Sequence, residues 1–167
     1  MYSKKKCSTP QIITYERVKS YMQWLIQRYG DYSASALLRK ANRVFKEDTQ
    51  YNQAALDYLI ERDIVNDQRF AKRLTEGFSD KNIGPNKIKE KLYGKGFSSQ
   101  LIDACLAGLA VSDNEYFTKA LILKTRKFGD APITDVKIKQ KALRHLIAKG
   151  FSYTIASQVI SHCDDQL

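Results

Sequence analysis

The sequence predicts an all-α protein made of three tandem three-helix repeats. Only three prolines occur in the 167 residues, and apolar residues recur at intervals of three and four, which is the spacing of amphipathic helices. Residues typical of helix ends punctuate this pattern, and two short segments occur twice at similar separations. No stretch alternates convincingly in the manner of a strand.

The first repeat is predicted from apolar stripes between Tyr15 and Ile64. Its stripe-forming residues are Trp24, Leu25, Leu37, Leu38, Leu56 and Leu59. The pair Leu56 and Leu59, followed by Ile64, fits one helix and its exit.

The second repeat begins with a helix whose buried side carries Phe70, Leu74 and Phe78. Gly84-Pro85 then predicts a new helix, because proline is well tolerated at the first helical position. Asp67 is interpreted as a cap for the helix that Arg69 enters.

The third repeat opens at Ser112-Asp-Asn-Glu115, which has the spacing of a capping box. Glycines follow several periodic segments and predict helix ends, namely Gly30, Gly96, Gly129 and Gly150. About nine helices are therefore expected.

Repetition supports the same division of the chain. Phe70-Ala-Lys-Arg-Leu74 reappears as Phe117-Thr-Lys-Ala-Leu121, and Lys95-Gly-Phe-Ser98 reappears as Lys149-Gly-Phe-Ser152. We expect a disordered basic tail over 1–11 and repeats over 12–64, 65–111 and 112–167, stacked into an elongated or curved protein. The repeat-matched apolar positions are expected in the core: Phe70, Leu74, Ile88, Leu92, Leu101, Leu106, Leu121, Leu146 and Ile155.

The charge is strongly positive and unevenly distributed. With 28 basic and 18 acidic residues the net charge is +10, which favours nucleic acid, an acidic protein or an anionic surface as partner. Nine basic residues stand against two acidic ones between Lys119 and Lys149, and five stand against one between Lys81 and Gly96. The second and third repeats are therefore expected to carry the binding surface.

Helical spacing arranges part of this charge into two ridges. On a helix, one ridge is formed by Lys87, Lys91 and Lys95, and a second by Lys137, Lys141 and Arg144. The residues predicted to form the binding surface are Lys87, Lys89, Lys91, Lys95, Lys119, Lys124, Arg126, Lys127, Lys137, Lys141 and Arg144. Alternatively, these faces only keep the protein soluble, and Lys124, Arg126 and Lys127 complement a helix C-terminus.

Other classes of protein find little support. His145 and His162 are the only histidines and belong to no recognisable catalytic or metal-binding set, and no glycine-rich phosphate loop occurs. The three cysteines are far apart, so we expect no disulfide framework and no metal, with Cys105 in the core and Cys7 and Cys163 as free thiols. We expect no catalytic residues, no cofactor, no membrane segment and a cytoplasmic location.

Two stretches in the middle of the chain carry a family resemblance. The first runs from Tyr58 through Asp67-Gln-Arg-Phe-Ala71, and the second from Ile83-Gly-Pro85 to Lys95-Gly-Phe97. Together with Thr125-Arg-Lys-Phe-Gly-Asp130 and Lys149-Gly-Phe151, they resemble the RecX family over roughly residues 55 to 160. The first repeat departs from the family, because Tyr32-Ser33-Ala-Ser-Ala-Leu-Leu38-Arg39 lacks the Glu-Leu pair expected after the serine.

The resemblance implies a regulator of the RecA recombinase that binds the RecA–DNA filament. The basic residues of the predicted binding surface would then contact RecA or DNA. Such a protein modulates, mainly by inhibition, the ATPase, strand-exchange and co-protease activities of RecA in DNA repair and the SOS response. DNA contact would be supporting and non-specific, and the repeats need no second chain, so a monomer is expected. The alternatives are a sequence-independent DNA-binding or architectural protein without a dedicated protein partner, and a helical adaptor for an unrelated acidic protein.

Overall fold

The computed structural model describes residues 12–45 and 49–162, and this part of the chain is all-α. The expected tail over 1–11, with Cys7, and also Cys163, lies outside the described residues. Every regular element in the described ranges is a helix, so the predicted all-α fold is confirmed. The helices are α1 (Tyr15–Tyr29), α2 (Ala34–Val44), α3 (Thr49–Glu61), α4 (Asp67–Ser79), α5 (Pro85–Lys95), α6 (Ser99–Ala107), α7 (Asp113–Phe128), α8 (Val136–Ala148) and α9 (Tyr153–His162).

The chain divides into two compact units, with the boundary between Asp67 and Gln68. In the first unit α3 packs against both α1 and α2. Val18, Met22, Leu37 and Leu59 are completely buried there. Trp24, assigned to an apolar stripe in the sequence, is 49% exposed instead, and its ring stacks on Tyr21 outside the core.

The second unit holds two larger apolar cores and a small third cluster of Ile133, Ala142 and Ile160. Residues of α4, α5 and α6 surround the first, where Ile88, Leu92 and Ile102 are fully buried. Residues of α7, α8 and α9 surround the second, which includes Leu146 and Val159. The second and third predicted repeats therefore share one compact unit, while the exact repeat boundaries stay a prediction.

Helix starts follow the local signals in the sequence. Pro85 is the first residue of α5, as expected. The capping box at α7 is present, since the backbone N–H of Glu115 donates to Ser112 Oγ at 3.3 Å and the backbone N–H of Ser112 donates to Glu115 Oε2 at 2.9 Å. These bonds satisfy two of the amide groups that a helix start leaves without partners.

The sequence interpretation of Asp67 was wrong. Asp67 is the first residue of α4 rather than its cap, and its Oδ1 accepts a 2.8 Å hydrogen bond from the backbone N–H of Ala34, the first residue of α2. The carboxylate therefore stabilises the start of a helix 33 positions earlier in the chain. Sequence spacing alone could not reveal such a remote partner.

The predicted core set was right in part. Five of its residues are buried, namely Phe70, Ile88, Leu92, Leu146 and Ile155. Four are only partly buried at the edges of the two cores, namely Leu74, Leu101, Leu106 and Leu121. Cys105, also expected in the core, is likewise partly buried.

Candidate binding surface

The ridge of Lys87, Lys91 and Lys95 lies on α5 and is called the α5 ridge. One of its charges is paired with a carboxylate. Lys87 Nζ lies 2.6 Å from Glu90 Oε2, one turn along the same helix. Lys91 is exposed and its ammonium lies 5.5 Å from the centre of the Phe78 ring. Lys95 at the helix end is exposed as well. The ridge exists as predicted in position, but its first charge is already paired.

Lys89 lies beside this ridge and also has an acidic partner. Its Nζ lies 2.7 Å from Asp103 Oδ1 on α6. The hydrogen bond and the negative charge of Asp103 raise the pKa of Lys89 above its usual value. The ion pair links α5 to α6, so part of the predicted binding set holds two helices together.

The ridge of Lys137, Lys141 and Arg144 lies on α8, is called the α8 ridge, and has a different electrostatic setting. Lys137, Lys141 and Arg144 are all exposed, and among the described residues no carboxylate is paired with any of them. The nearest acid in sequence, Asp135, caps the helix by accepting from the backbone N–H groups of Lys137 and Ile138 at 2.6 and 3.1 Å. Arg144 uses its Nε to donate to Gln140 O at 3.3 Å, which leaves its charge uncompensated.

A cationic groove lies where the last turns of α7 and α8 come together. It has a volume of about 320 Å³ and is lined by Leu123, Arg126, Lys127, His145 and Lys149. Lys127 Nζ lies 3.0 Å from His145 Nδ1. Burial, together with the positive charges of Lys127 and Lys149, lowers the pKa of His145 below its ordinary value.

Two of the predicted binding residues serve the fold instead. Lys124 is completely buried, and its Nζ donates to Asp130 O at 3.0 Å and Ala131 O at 2.9 Å. A side chain with no exposed surface cannot contact a partner, so including Lys124 in the binding set was wrong. It instead ties α7 to the segment that follows.

Lys119 is half-buried and also engaged within the protein. Its Nζ donates to Ser79 O at 2.8 Å, at the last residue of α4. A cation at this place satisfies a carbonyl that the helix end leaves without a partner. Lys119 therefore joins α7 to α4 inside the second unit.

The groove includes two residues that the sequence interpretation left unassigned, His145 and Lys149. A signal for them was available, since Lys141, His145 and Lys149 follow one another at intervals of four, as do Lys87, Lys91 and Lys95. The contribution of α7 to the same groove could not be read from spacing, because it depends on how α7 packs on α8.

No helix in the described ranges is both long enough and apolar enough to cross a bilayer. Within the same residues, histidine, cysteine and acidic side chains do not gather in threes around a point where a metal ion could bind.

Comparison with known proteins gives consistent matches. Residues 66–106 match the model of the second three-helix domain of RecX, and residues 113–160 match that of the third. A regulatory protein RecX from Acinetobacter baylyi is 29% identical over 136 residues, covering 81% of this chain and 82% of the relative. The regulatory protein RecX of Actinobacillus pleuropneumoniae is 31% identical over 136 residues, covering 79% of this chain and 83% of the relative.

The chain spans from 42% to 83% of the length of the curated relatives it matches. Among solved structures, the crystal structure of RecX from Lactobacillus salivarius superposes with a TM-score of 0.73 at 20% identity, covering 90% of this chain and 96% of that one. This likeness concerns the fold. The two family models together cover more than half of the 167 residues and coincide with α4–α6 and α7–α9.

Proposed function

The chain belongs to the RecX family, and from this premise we propose that it is a cytoplasmic, monomeric regulator of the RecA recombinase without enzymatic activity of its own. It binds the RecA–DNA filament and mainly inhibits its ATPase, strand-exchange and co-protease activities. The relatives are described as regulatory proteins RecX. From this description we infer that the partner is RecA and that the regulation is mainly inhibitory.

The observation that supports this proposal best is the exposed positive charge of the α8 ridge. Lys137, Lys141 and Arg144 are exposed along one side of a helix that contains no acidic residue. Like charges one turn apart repel each other, and a bound anionic surface relieves that repulsion. Acidic side chains of a protein filament or the phosphates of its DNA would both supply the required charge.

The α5 ridge contributes less to the proposed contact. Lys87 is paired with Glu90, and neighbouring Lys89 is paired with Asp103. Ion pairs at exposed sites contribute little to stability, so a partner could displace them, but at a cost that the α8 ridge does not carry. We therefore place the main contact on the α8 ridge and a secondary one on Lys91.

The proposal is tested by RecA ATP hydrolysis on single-stranded DNA with increasing amounts of this protein. Inhibition well below one regulator per RecA supports action on the filament. Lack of any effect at excess protein, with RecA active, contradicts the proposal.

Salt dependence separates the proposal from its alternative, a DNA-binding or architectural protein without a dedicated partner. Binding to phosphates alone weakens steeply with salt. The logarithm of the affinity falls by about 0.7–0.9 per phosphate contact for each unit of the logarithm of the salt concentration. Binding to a RecA filament should be stronger than binding to the same DNA without RecA at every salt concentration. Equal affinity for bare DNA and filament would favour the alternative.

A further inference from the structure

The cationic groove at the ends of α7 and α8 brings together four side chains that can carry positive charge. They are Arg126, Lys127, His145 and Lys149, and the remaining lining residue is Leu123. None of the five is acidic. The groove is thus a concave surface with converging hydrogen-bond donors and no internal counterion among its lining residues.

The closest contact in the groove joins two basic groups. Lys127 Nζ and His145 Nδ1 are 3.0 Å apart, and because an ammonium can only donate, this nitrogen of the imidazole must accept. His145 in that arrangement is neutral, with its other ring nitrogen carrying the proton. Its ring packs edge-on against Phe128, with centroids 5.9 Å apart, which holds the imidazole in place.

The cations of the groove act on His145. Arg126, Lys127 and His145 all lie in last turns, where the helix C-terminus favours cations. Burial lowers the pKa of His145, and the positive charges of Lys127 and Lys149 lower it further.

In the second repeat the positions that match Arg126 and Lys127 are not basic. When α7 is aligned with α4 so that Phe117 matches Phe70, Lys127 falls on Asp80 and Arg126 falls on Ser79. The Lys91 position that matches His145 faces the Phe78 ring. The concentration of positive charge is therefore a property of the α7–α8 pair and not of the repeat in general.

We infer that the groove formed by Arg126, Lys127, His145 and Lys149 binds one phosphate group of a nucleic-acid backbone, and that binding is coupled to proton uptake by His145. Arginine and lysine donors suit phosphate oxygens. A bound phosphodiester brings negative charge within reach of the imidazole and favours its protonated form. The protonated ring then has both nitrogens as donors and adds a fourth cation to the site.

Phosphate binding by the isolated protein does not depend on RecA. A role of the groove on a RecA–DNA filament rests on the function proposed above. Reciprocity fixes the size of the coupling. If a bound anion raises the pKa of His145 by about one pH unit, the anion binds about tenfold more tightly to the protonated protein than to the neutral one.

The test is an NMR titration of the two histidine rings of the full chain, with and without anion. Sulfate is used as the free anion, because its charge does not change between pH 5 and pH 8, and a short oligodeoxythymidylate is used as the nucleic-acid source. At constant ionic strength kept with chloride, we expect each anion to raise the pKa of His145 saturably. His162, exposed at the end of α9 beside Phe117, serves as the internal control and should move little.

The variant Lys127→Met checks that the groove is responsible. Without anion it should raise the pKa of His145, since a neighbouring cation is gone, and with anion the further rise should be lost. Lys72→Met, an exposed lysine of α4 outside the predicted binding surface, is the matched control and should respond as the original protein does.

Three outcomes overturn the inference: equal shifts of both histidines, shifts that do not saturate, or an unchanged response in Lys127→Met. Binding of sulfate without binding of the oligonucleotide overturns the assignment to a nucleic-acid backbone. Because no RecA is present, none of these results bears on RecA inhibition, which is measured separately.

Discussion

Gly84 and Gly150 lie backbone against backbone in the second unit. A Cβ atom on Gly84 would be 2.2 Å from the carbonyl carbon of Gly150, and one on Gly150 would be 2.2 Å from Lys87 N. Gly84 N donates to Lys149 O at 2.9 Å, and Asn86 N donates to Gly150 O at 3.1 Å. The start of α5, whose cap residue has no side chain, is thus capped by the main chain that follows α8.

The first prediction concerns this contact. Gly84→Ala should destabilise the protein by about 1–3 kcal/mol or more, because the added methyl group meets backbone that cannot rotate away. Gly77→Ala is the matched control: its site within α4 is open, so it should stabilise by roughly 0.5–1 kcal/mol. Urea denaturation of both variants provides the measurement. Equal midpoints would show that the two segments are not in contact.

The second prediction concerns buried Lys124. Lys124→Met keeps most of the apolar volume but removes the donor to Asp130 O and Ala131 O, and should cost about 1–3 kcal/mol. Lys141→Met, on the exposed face of α8, should change the stability by less than about 0.5 kcal/mol. Denaturation midpoints compare the two. A neutral Lys124→Met would mean that this lysine is dispensable for folding.

Local signals in the sequence were sufficient to predict where several helices begin. The start of α5 at Pro85 and the capping box at Ser112 depend on residues within one helical turn, and both were predicted. The partner of Asp67 and the contact of Gly84 with Gly150 lie 33 and 66 positions away. Contacts at such separations depend on packing, which helical periodicity does not encode.

The basic residues show the same limit. Counting charges located the basic segments, and spacing identified the α8 ridge. Neither could distinguish Lys124, which is completely buried, from Lys127, which is exposed three positions later. That difference arises because α7 turns one side toward its neighbours, and helical phase gives that side only after the packing partner is known.

The third prediction follows from the core of α6. Repeat matching favoured Leu101 as a core residue, whereas the fully buried residue is Ile102 and Leu101 is partly exposed. Ile102→Ala should cost about 2–5 kcal/mol. Leu101→Ala should cost clearly less, because water already reaches part of its side chain. Thermal or urea unfolding ranks the two, and the reverse order would contradict the packing of α6.

The fourth prediction tests the two ridges. Changing Lys137, Lys141 and Arg144 to Glu should leave helicity nearly unchanged, since exposed charge pairs contribute only about 0.2–0.5 kcal/mol each, and should strongly weaken RecA inhibition. The same change at Lys87, Lys91 and Lys95 should weaken it less. RecA ATPase assays on single-stranded DNA, with circular dichroism of each variant, provide the measurement.

The matched control for the ridges is a triple change to Glu at Arg28, Arg39 and Arg43, which are exposed in the first unit. It should leave RecA inhibition nearly intact. If it abolishes inhibition while the α8 variant retains it, the contact surface lies on the first unit and the charge argument fails.

The last prediction is a pH dependence of stability carried by His145. Its pKa in the folded protein is lowered, by burial and by Lys127 and Lys149, from an ordinary value of 6.5. The unfolded chain therefore binds this proton more readily, so the contribution is present above about pH 6.5 and is lost as the pH falls through the folded-state pKa. His145→Gln removes the titrating group, so its loss of stability between pH 7.5 and pH 5.5 should be smaller than that of the original protein. His162→Gln should lose as much as the original. Urea denaturation at the two pH values measures the loss of stability of both variants. An equal loss in the two variants would show that Lys127 and Lys149 do not act on His145.

Sulfate at constant ionic strength should reduce the loss of stability between pH 7.5 and pH 5.5 in the original protein and not in His145→Gln, because an anion in the groove stabilises the protonated ring.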